Sequence, residues 1–434
     1  MRKKIIFWTT AMVLIFSGRI KAGEAHTVPI TSAKSLALGG YYYAGSDGIT
    51  TTFQNPGKIM SLKGFGLAIN AIDRAGQQEC KKGNRDIHRS YLFNDFSGSA
   101  GIYWVPNPRF GLAMVYNRAL DYSARWPLAL MFTDNNGINR LYGFQLKSRL
   151  IADAYSQVFG LQVGKLSLGA AISIYQLYQQ LEFPISNPEW QASKTSPVYA
   201  LNLEQRDNAV GWSAGFILPV SSTIQLGGSI RSGVNFDLEG HAKTDCFYAL
   251  DSLAKKSRLR SKFQIPLNGG LGILYKPTEQ LNINLDLSSE FWGSTQSTLD
   301  FNYSDTAWSA IIAEAPQDTI TGYWRSEMPF YNRNSYAFAI GLEYSGENNL
   351  KYRVGYTYQT TPNSDRSYSL LFPNVNQHRI SAGIGFLYNQ FYIDLSIAYS
   401  MGFAKDIKKS QNEYFYGKYD TKTIIPSINI EYQL

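Results

Sequence analysis

In the last hundred residues, five separate runs share one rhythm, in which every second side chain is apolar. Leu350, Tyr352, Val354, Tyr356 and Tyr358 take one side of a run, and Lys351, Arg353, Thr357 and Gln359 take the other. Ile380 to Tyr388, Phe391 to Tyr399 and Ile428 to Leu434 repeat the pattern. Successive side chains of a strand point to opposite faces, so each run builds a wall with one apolar side. Beyond the first 25 residues no stretch reaches 18 consecutive apolar residues, which excludes helical membrane spans there. The apolar walls must therefore face either a protein core, as in a sandwich, or lipid, as in a transmembrane barrel.

Two features favour the barrel. Aromatics cap the apolar faces at both ends, as in Tyr336, Phe338, Ile340, Leu342 and Tyr344, which suits girdles at two lipid–water interfaces. The connections also alternate in length. Short turns fall at 105–109, 164–165, 219–223, 276–280, 346–349 and 388–390. Long polar connections fall at 75–97, 119–149, 183–207, 239–262, 293–333, 361–377 and 404–419. Outer-membrane barrels pair short periplasmic turns with long external loops in this way. The reading is an all-β fold, a fourteen-stranded antiparallel transmembrane β-barrel over residues 63–434, with the third and fourth strands least regular. An even count returns both ends to one side, and closure leaves no open edge. A charged fraction of 17% beside 30 Tyr, 24 Phe and 37 Gly is in keeping with such a wall.

The chain opens as an exported precursor does. Arg2, Lys3 and Lys4 precede the apolar stretch Ile5–Phe16 and then the small residues Ala22, Gly23 and Ala25, so residues 1–25 read as a signal peptide cleaved after Ala22 or Ala25. These residues hold five cations against Glu24, so the net charge of +8 falls to about +4 for the remainder. That mild balance does not indicate a nucleic-acid partner. Residues 26–62 do not alternate. They are rich in apolar and turn residues rather than solvating ones, and are expected to pack in the lumen as a hatch, or plug.

The same segment carries motifs of a known family. Ala37-Leu38-Gly39-Gly40, Ala44-Gly45 and Asn55-Pro56-Gly57 stand in the order of the leucine–glycine–glycine, alanine–glycine and asparagine–proline–alanine motifs of the FadL/TodX family. Gly57 replaces the family's alanine. Gly211-Trp212-Ser213-Ala214-Gly215 with Ile230-Arg231-Ser232, then Arg353-Val354-Gly355-Tyr356, Phe372-Pro373-Asn374 and Ser381-Ala382-Gly383, continue the likeness over nearly the whole chain. The chain thus resembles outer-membrane transporters of long-chain fatty acids and other hydrophobic compounds. The resemblance implies a fourteen-stranded barrel closed by an amino-terminal hatch. It also implies an inward kink in an early strand that opens the wall toward lipid. The irregular third strand is the natural place for that kink.

Candidate site residues follow. Gly39, Gly40, Asn55, Pro56 and Gly57 are candidates for the hatch and its gating. Arg231, Lys351, Arg353 and Arg379 lie on polar faces with Asp237, Asp286, Glu290, Asp394 and Glu431. They read either as internal salt bridges or as cations that hold a carboxylate head while an apolar pocket takes the tail, with Arg231 preferred. Cys80 and Cys246 fall in connections on the same external side, so a disulfide between them is topologically allowed. His26, His88, His241 and His378 lack metal-ligand spacing, Gly269-Gly270-Leu271-Gly272 precedes no helix, and no motif marks a catalytic site. The expected partners are a hydrophobic small molecule and outer-membrane lipid, with neither cofactor nor metal. The alternative reading is a structural or adaptor component with a protein partner in a secretion system.

Overall fold

The computed structural model describes residues 30–45, 48–82, 86–133, 139–186, 198–244, 256–304, 327–412 and 415–434. The signal peptide and Cys246 lie outside them. Fourteen antiparallel staves follow in chain order. The first seven are β1 (Gly64–Lys82), β2 (Phe93–Asn107), β3 (Phe110–Thr133), β4 (Asn139–Val163), β5 (Leu166–Ser186), β6 (Val198–Pro219) and β7 (Ile224–Arg231, continued as Val234–Thr244). Then come β8 (Lys256–Ile265, continued as Asn268–Tyr275), β9 (Leu281–Glu290), β10 (Ser335–Ser345), β11 (Lys351–Gln359), β12 (Gln377–Tyr388), β13 (Phe391–Gly402) and β14 (Gly417–Gln433). The last stave pairs with the first from Gly66↔Gln433 to Lys81↔Lys418, which closes the sheet and satisfies the backbone of both edges.

The belt is apolar as the alternation requires. Ile69, Met114, Ile172, Leu271, Leu287 and Ile397 project outward and are exposed to what would be lipid. At its periplasmic rim Phe391 and Tyr432 pack 5.1 Å apart. At the outer rim Tyr358, His378 and Phe403 cluster, with the His378 and Phe403 rings edge to face at 4.0 Å. Amphipathic rings of this kind suit the two interfaces.

Above the belt, β3 to β8 run on, and here the structure corrects the sequence reading. The described residues of the stretches 119–149, 183–207 and 239–262 are strand rather than polar loop. β3 extends to Thr133, β5 to Ser186 and β7 to Thr244 before the chain turns. In these extensions the polarity of the wall is reversed. On β5 the outward residues change from Leu168, Ile172 and Ile174 to Gln176, Gln180 and Glu182, and the inward ones from Ser167 and Ser173 to Leu177, Leu181 and Phe183. The lower barrel faces lipid, whereas the upper barrel faces water and holds an apolar interior.

Three staves reach the same end by shifting register. β3 carries one extra residue at Ala119, between the pairs Arg118↔Asp153 and Leu120↔Ala152. β7 and β8 break together at Ser232-Gly233 and Pro266-Leu267, between Arg231↔Asn268 and Val234↔Ile265. A bulge exchanges the two faces of every residue beyond it. Asp237, which the sequence put with Arg231 on the lumen face, therefore points outward and is exposed, while Phe236 and Leu238 are buried inside.

Candidate functional site: the filled lumen

Residues 30–62 cross the bore in a short helix α1 (Ala33–Ala37) and two 3-10 turns, Ile49–Phe53 and Pro56–Ser61. Ser32 caps α1 through a reciprocal bond pair with Ser35, so the turn holds itself without a long helix. Nearly all of its described residues are buried. Around the ring, Ala33 donates to the Asn70 carboxamide of β1 (2.9 Å), Asn55 to the Phe216 carbonyl of β6 (2.9 Å), and Tyr43 to the Asp286 carboxylate of β9 (2.8 Å). Ser381 of β12 donates to Ala37 at 3.1 Å, and Thr357 of β11 donates to Gly39. A segment bonded to staves on every side of a closed ring lies inside it.

Close approach explains two glycines. A Cβ on Gly169 of β5 would stand 2.2 Å from the Pro56 carbonyl carbon, and one on Gly270 of β8 would overlap the Tyr43 ring. The GGLG run of β8 thus gives room to an aromatic ring. Gly39 and Gly40 take positive φ of 101° and 90°, which turns the chain sharply after α1. Asn55 holds the following turn, accepting from Gly57 at 3.0 Å and donating to Tyr43 at 2.8 Å as well as to Phe216. Gly57 sits where a Cβ would meet the Phe216 backbone at 2.7 Å, so even the family's alanine would press on β6. Asn55→Ala is expected to remove the side-chain donor from the buried Tyr43 carbonyl and the part-buried Phe216 carbonyl and weaken the docked segment by about 1–3 kcal/mol. Faster proteolysis within residues 30–62 of the folded barrel would register it, and an unchanged cleavage rate would contradict it.

The four candidate cations have different fates. Arg231 donates to the Phe53 carbonyl and lies 3.8 Å from the centre of the Phe53 ring, so its guanidinium is committed to the amino-terminal segment. Arg353 is fully engaged between Glu343 and Asp394, at 2.6 Å to each, and Lys34 of α1 reaches Glu343 at 3.5 Å. Arg379 lies against Gly40. Lys351 has no side-chain partner among the described residues. It lines a cavity of about 430 Å³ at the periplasmic mouth, between α1 and the ends of β10 to β14. Internal pairing thus accounts for Arg353, Arg231 is engaged with Phe53, and Lys351 is the one of the two remaining cations on this wall that lines the mouth cavity. Cys80 is buried on the inner face of β1 beside the Tyr419 hydroxyl.

The apolar interior of the upper barrel was missed at the sequence level. Trp292 lies 6.4 Å from Tyr122, Phe263 and Phe330, and Phe372 lies 6.2 Å from Tyr122 and 5.6 Å from Phe330, ring centre to ring centre. Trp126, Phe183, Phe236 and Leu259 extend this apolar interior. Residues 361–376, between β11 and β12, fold in from above and put Tyr368, Leu371, Phe372 and Val375 into it. Lys405 pins this lid to the next loop, donating to Asn363 at 2.7 Å and pairing with Asp365 at 3.1 Å. Burial pulls the Lys405 ammonium below the usual lysine value, and Asp365 offsets part of that shift. An advance signal was the alternation of Phe236, Leu238 and Ala242 with Asp237 and Glu239, which runs from a strand into the stretch 239–262 that reads as loop.

The wall is interrupted in one early place. β2 and β3 pair from Asn107↔Phe110 only as far as Ser99↔Asn117. Beyond that, β2 stays with β1 up to Gly76↔Phe93 and β3 stays with β4 up to Thr133↔Asn139. Tyr91 donates to the Arg125 carbonyl at 2.9 Å and closes the far end of the gap. Arg74 with Asp121 at 3.0 Å and Arg118 with Asp153 at 2.7 Å flank this seam, beside the Ala119 bulge.

A closed lipid-belted barrel whose bore is occupied by its own amino-terminal segment defines a transmembrane β-barrel that is not an open porin. The chain belongs to the family described as outer membrane protein transport protein (OMPP1/FadL/TodX), whose pattern it matches over residues 31–434. That membership makes it an outer-membrane transport protein rather than an enzyme, of a family that transports hydrophobic compounds. It is 23% identical over 331 residues to a long-chain fatty acid transport protein of Escherichia coli O6:H1, covering 69% of this chain and 70% of that one. The solved toluene transporter TodX of P. putida superposes with a TM-score of 0.71 at 16% identity, covering 94% and 99% of the two chains. A Pseudomonas aeruginosa FadL homologue superposes at 0.68 with 13% identity, covering 96% and 99%. These two likenesses speak for the fold.

Proposed function

We propose that this protein is a passive, gated channel for hydrophobic compounds, and that the solute is captured in the upper chamber between the lid and the amino-terminal hatch. The observation that carries the reading is the reversed polarity of β3 to β8. A water-filled pore has no use for an interior of Phe236, Phe263, Trp292, Phe330 and Phe372, whereas an apolar solute gains roughly 25 cal/mol for each Å² it withdraws from water there. The seam between β2 and β3 opens at the top of the belt, where Phe96 of β2 is exposed, and offers a sideways exit into lipid there, which spares such a solute an aqueous path. The hatch, residues 26–62, keeps the bore shut to water meanwhile.

Compounds with an anionic head, such as the fatty acids carried by the E. coli relative, that pass the hatch instead of leaving through the seam meet Lys351 at the periplasmic mouth. Trp126 and Trp292 report occupancy of the chamber. A brominated fatty acid is expected to quench a component of the fluorescence that vanishes in the Trp126→Phe, Trp292→Phe double variant. Identical quenching of both proteins would place the solute elsewhere. Lys351→Ala is expected to slow a carboxylate-bearing solute several-fold, by about 1–2 kcal/mol, and to leave a neutral hydrocarbon unchanged. Equal effects on both would remove Lys351 from that role.

A further inference from the structure

On the outer face of β1, β13 and β14 the wall carries a groove of about 430 Å³ that the transport reading does not use. Its floor is apolar: Ala75, Ile424 and Tyr399 are register neighbours on the three staves. Its roof is the segment after the β1 hairpin. Arg89 and Leu92 line it from above, and Ser90 is tied back to β1 by Gln77 and by the Gln78 amide, both at 3.0 Å. Three cations face the groove. Lys81 and Arg89 share the single carboxylate of Glu79, at 2.8 and 3.0 Å, which leaves that pair with one positive charge in excess. Lys422 has no side-chain partner among the described residues, although Asp420 stands on the same face two residues away.

The height of the groove on the wall decides what fills it. Ile69, Ile397 and Ile430 form the exposed apolar belt directly below, and Tyr399 marks its rim. A concavity at that level of an outer-membrane barrel cannot stay empty, because it opens onto the outer leaflet. Its floor suits an acyl chain, and cations one step above suit a phosphate on the same molecule.

We propose that this groove is a binding site for a phosphorylated glycolipid of the outer leaflet, with an acyl chain over Ala75, Ile424 and Tyr399 and a phosphate held by Lys81, Arg89 and Lys422. The site is separate from the lumen and does not depend on what the channel carries. A lipid seated here braces the closing pair of staves, β1 and β14, and ties the β1 hairpin to the membrane surface.

The full chain in a mild detergent, titrated with lipid A and followed by native mass spectrometry, tests the assignment. One lipid A per barrel is expected to bind in preference to its dephosphorylated form. Arg89→Glu with Lys422→Glu is expected to weaken that binding by about tenfold or more, the scale of roughly 1 kcal/mol for each surface cation lost. Inorganic phosphate at millimolar concentration is not expected to compete, because it lacks the chain. The charge-reversed residues are exposed and make no ladder bonds through their side chains, so a heat-stable electrophoretic shift serves to show that the variant barrel is closed. Equal affinity of the variant, or equal affinity for the dephosphorylated lipid, would overturn the site. Competition by phosphate would reduce it to an anion site on the surface.

Discussion

Deleting residues 26–58 is expected to leave a barrel that still assembles but conducts water and ions. The fourteen staves satisfy one another's backbone bonds, and the lower inner wall is polar, with Ser173, Ser381, Ser396 and Asn284 among its buried members. Water can take over the partners that Ala33, Tyr43 and Asn55 now supply. A barrel this wide holds a channel unless something fills it. Liposomes bearing the deletion should swell in isosmotic sugar as porin liposomes do, while liposomes with the intact chain should not. Swelling by neither would mean that the bore is blocked by other parts of the wall. In cells the same deletion should uncouple uptake of a hydrophobic compound from the gate without loss of barrel from the outer membrane.

Phe263→Asp is the second change of large expected effect. Phe263 is fully buried between Trp292 and Phe330, at 6.4 and 6.0 Å. A carboxylate there has no cation in the aromatic cluster to pair with, so it either draws water into the chamber or forces the rings apart. Capture of an apolar solute should fall by about tenfold or more, which corresponds to a loss of only about 1.4 kcal/mol of transfer energy. Lower-barrel pairing should be untouched, so the variant should reach the membrane in normal amount. Phe263→Leu, which keeps the site apolar, should retain most of the uptake. Equal loss in both variants would point to packing rather than polarity.

Much of this architecture was legible in the sequence, and the part that was not has a definite cause. A lipid-facing strand announces itself through apolar residues on one face, bounded by rings, and that signature located all fourteen staves. It ends where the wall leaves the membrane. On β5 the alternation continues past Ile174, but Gln176 and Glu182 now face out and Leu177 and Phe183 face in. A reader looking for a lipid face follows β5 only to residue 182 and β3 only to residue 118, and writes loops beyond. On β7 the shift at Ser232-Gly233 hides in two small residues. On β8 Pro266, which lacks an N–H, marks the break more openly. The amino-terminal motifs announced close packing through their glycines, although not the partners. Nothing local in the sequence says that Arg231 ends on Phe53 or that Arg353 joins Glu343 to Asp394, because those meetings depend on the register of distant staves. Phe372-Pro373-Asn374, read as a family likeness, proves to sit in the lid over the chamber.

The central claim is that a hydrophobic solute crosses the outer membrane through this barrel. Uptake of a radiolabelled long-chain fatty acid by cells stripped of their own outer-membrane route tests it most directly, with the intact chain, Phe263→Asp and an empty vector compared at equal outer-membrane abundance. Uptake well above the vector with the intact chain, and near the vector with Phe263→Asp, is the expected result. Uptake no greater than the vector for this solute and for a neutral aromatic hydrocarbon, with a secretion component co-purifying stably, would contradict the account and favour an adaptor role.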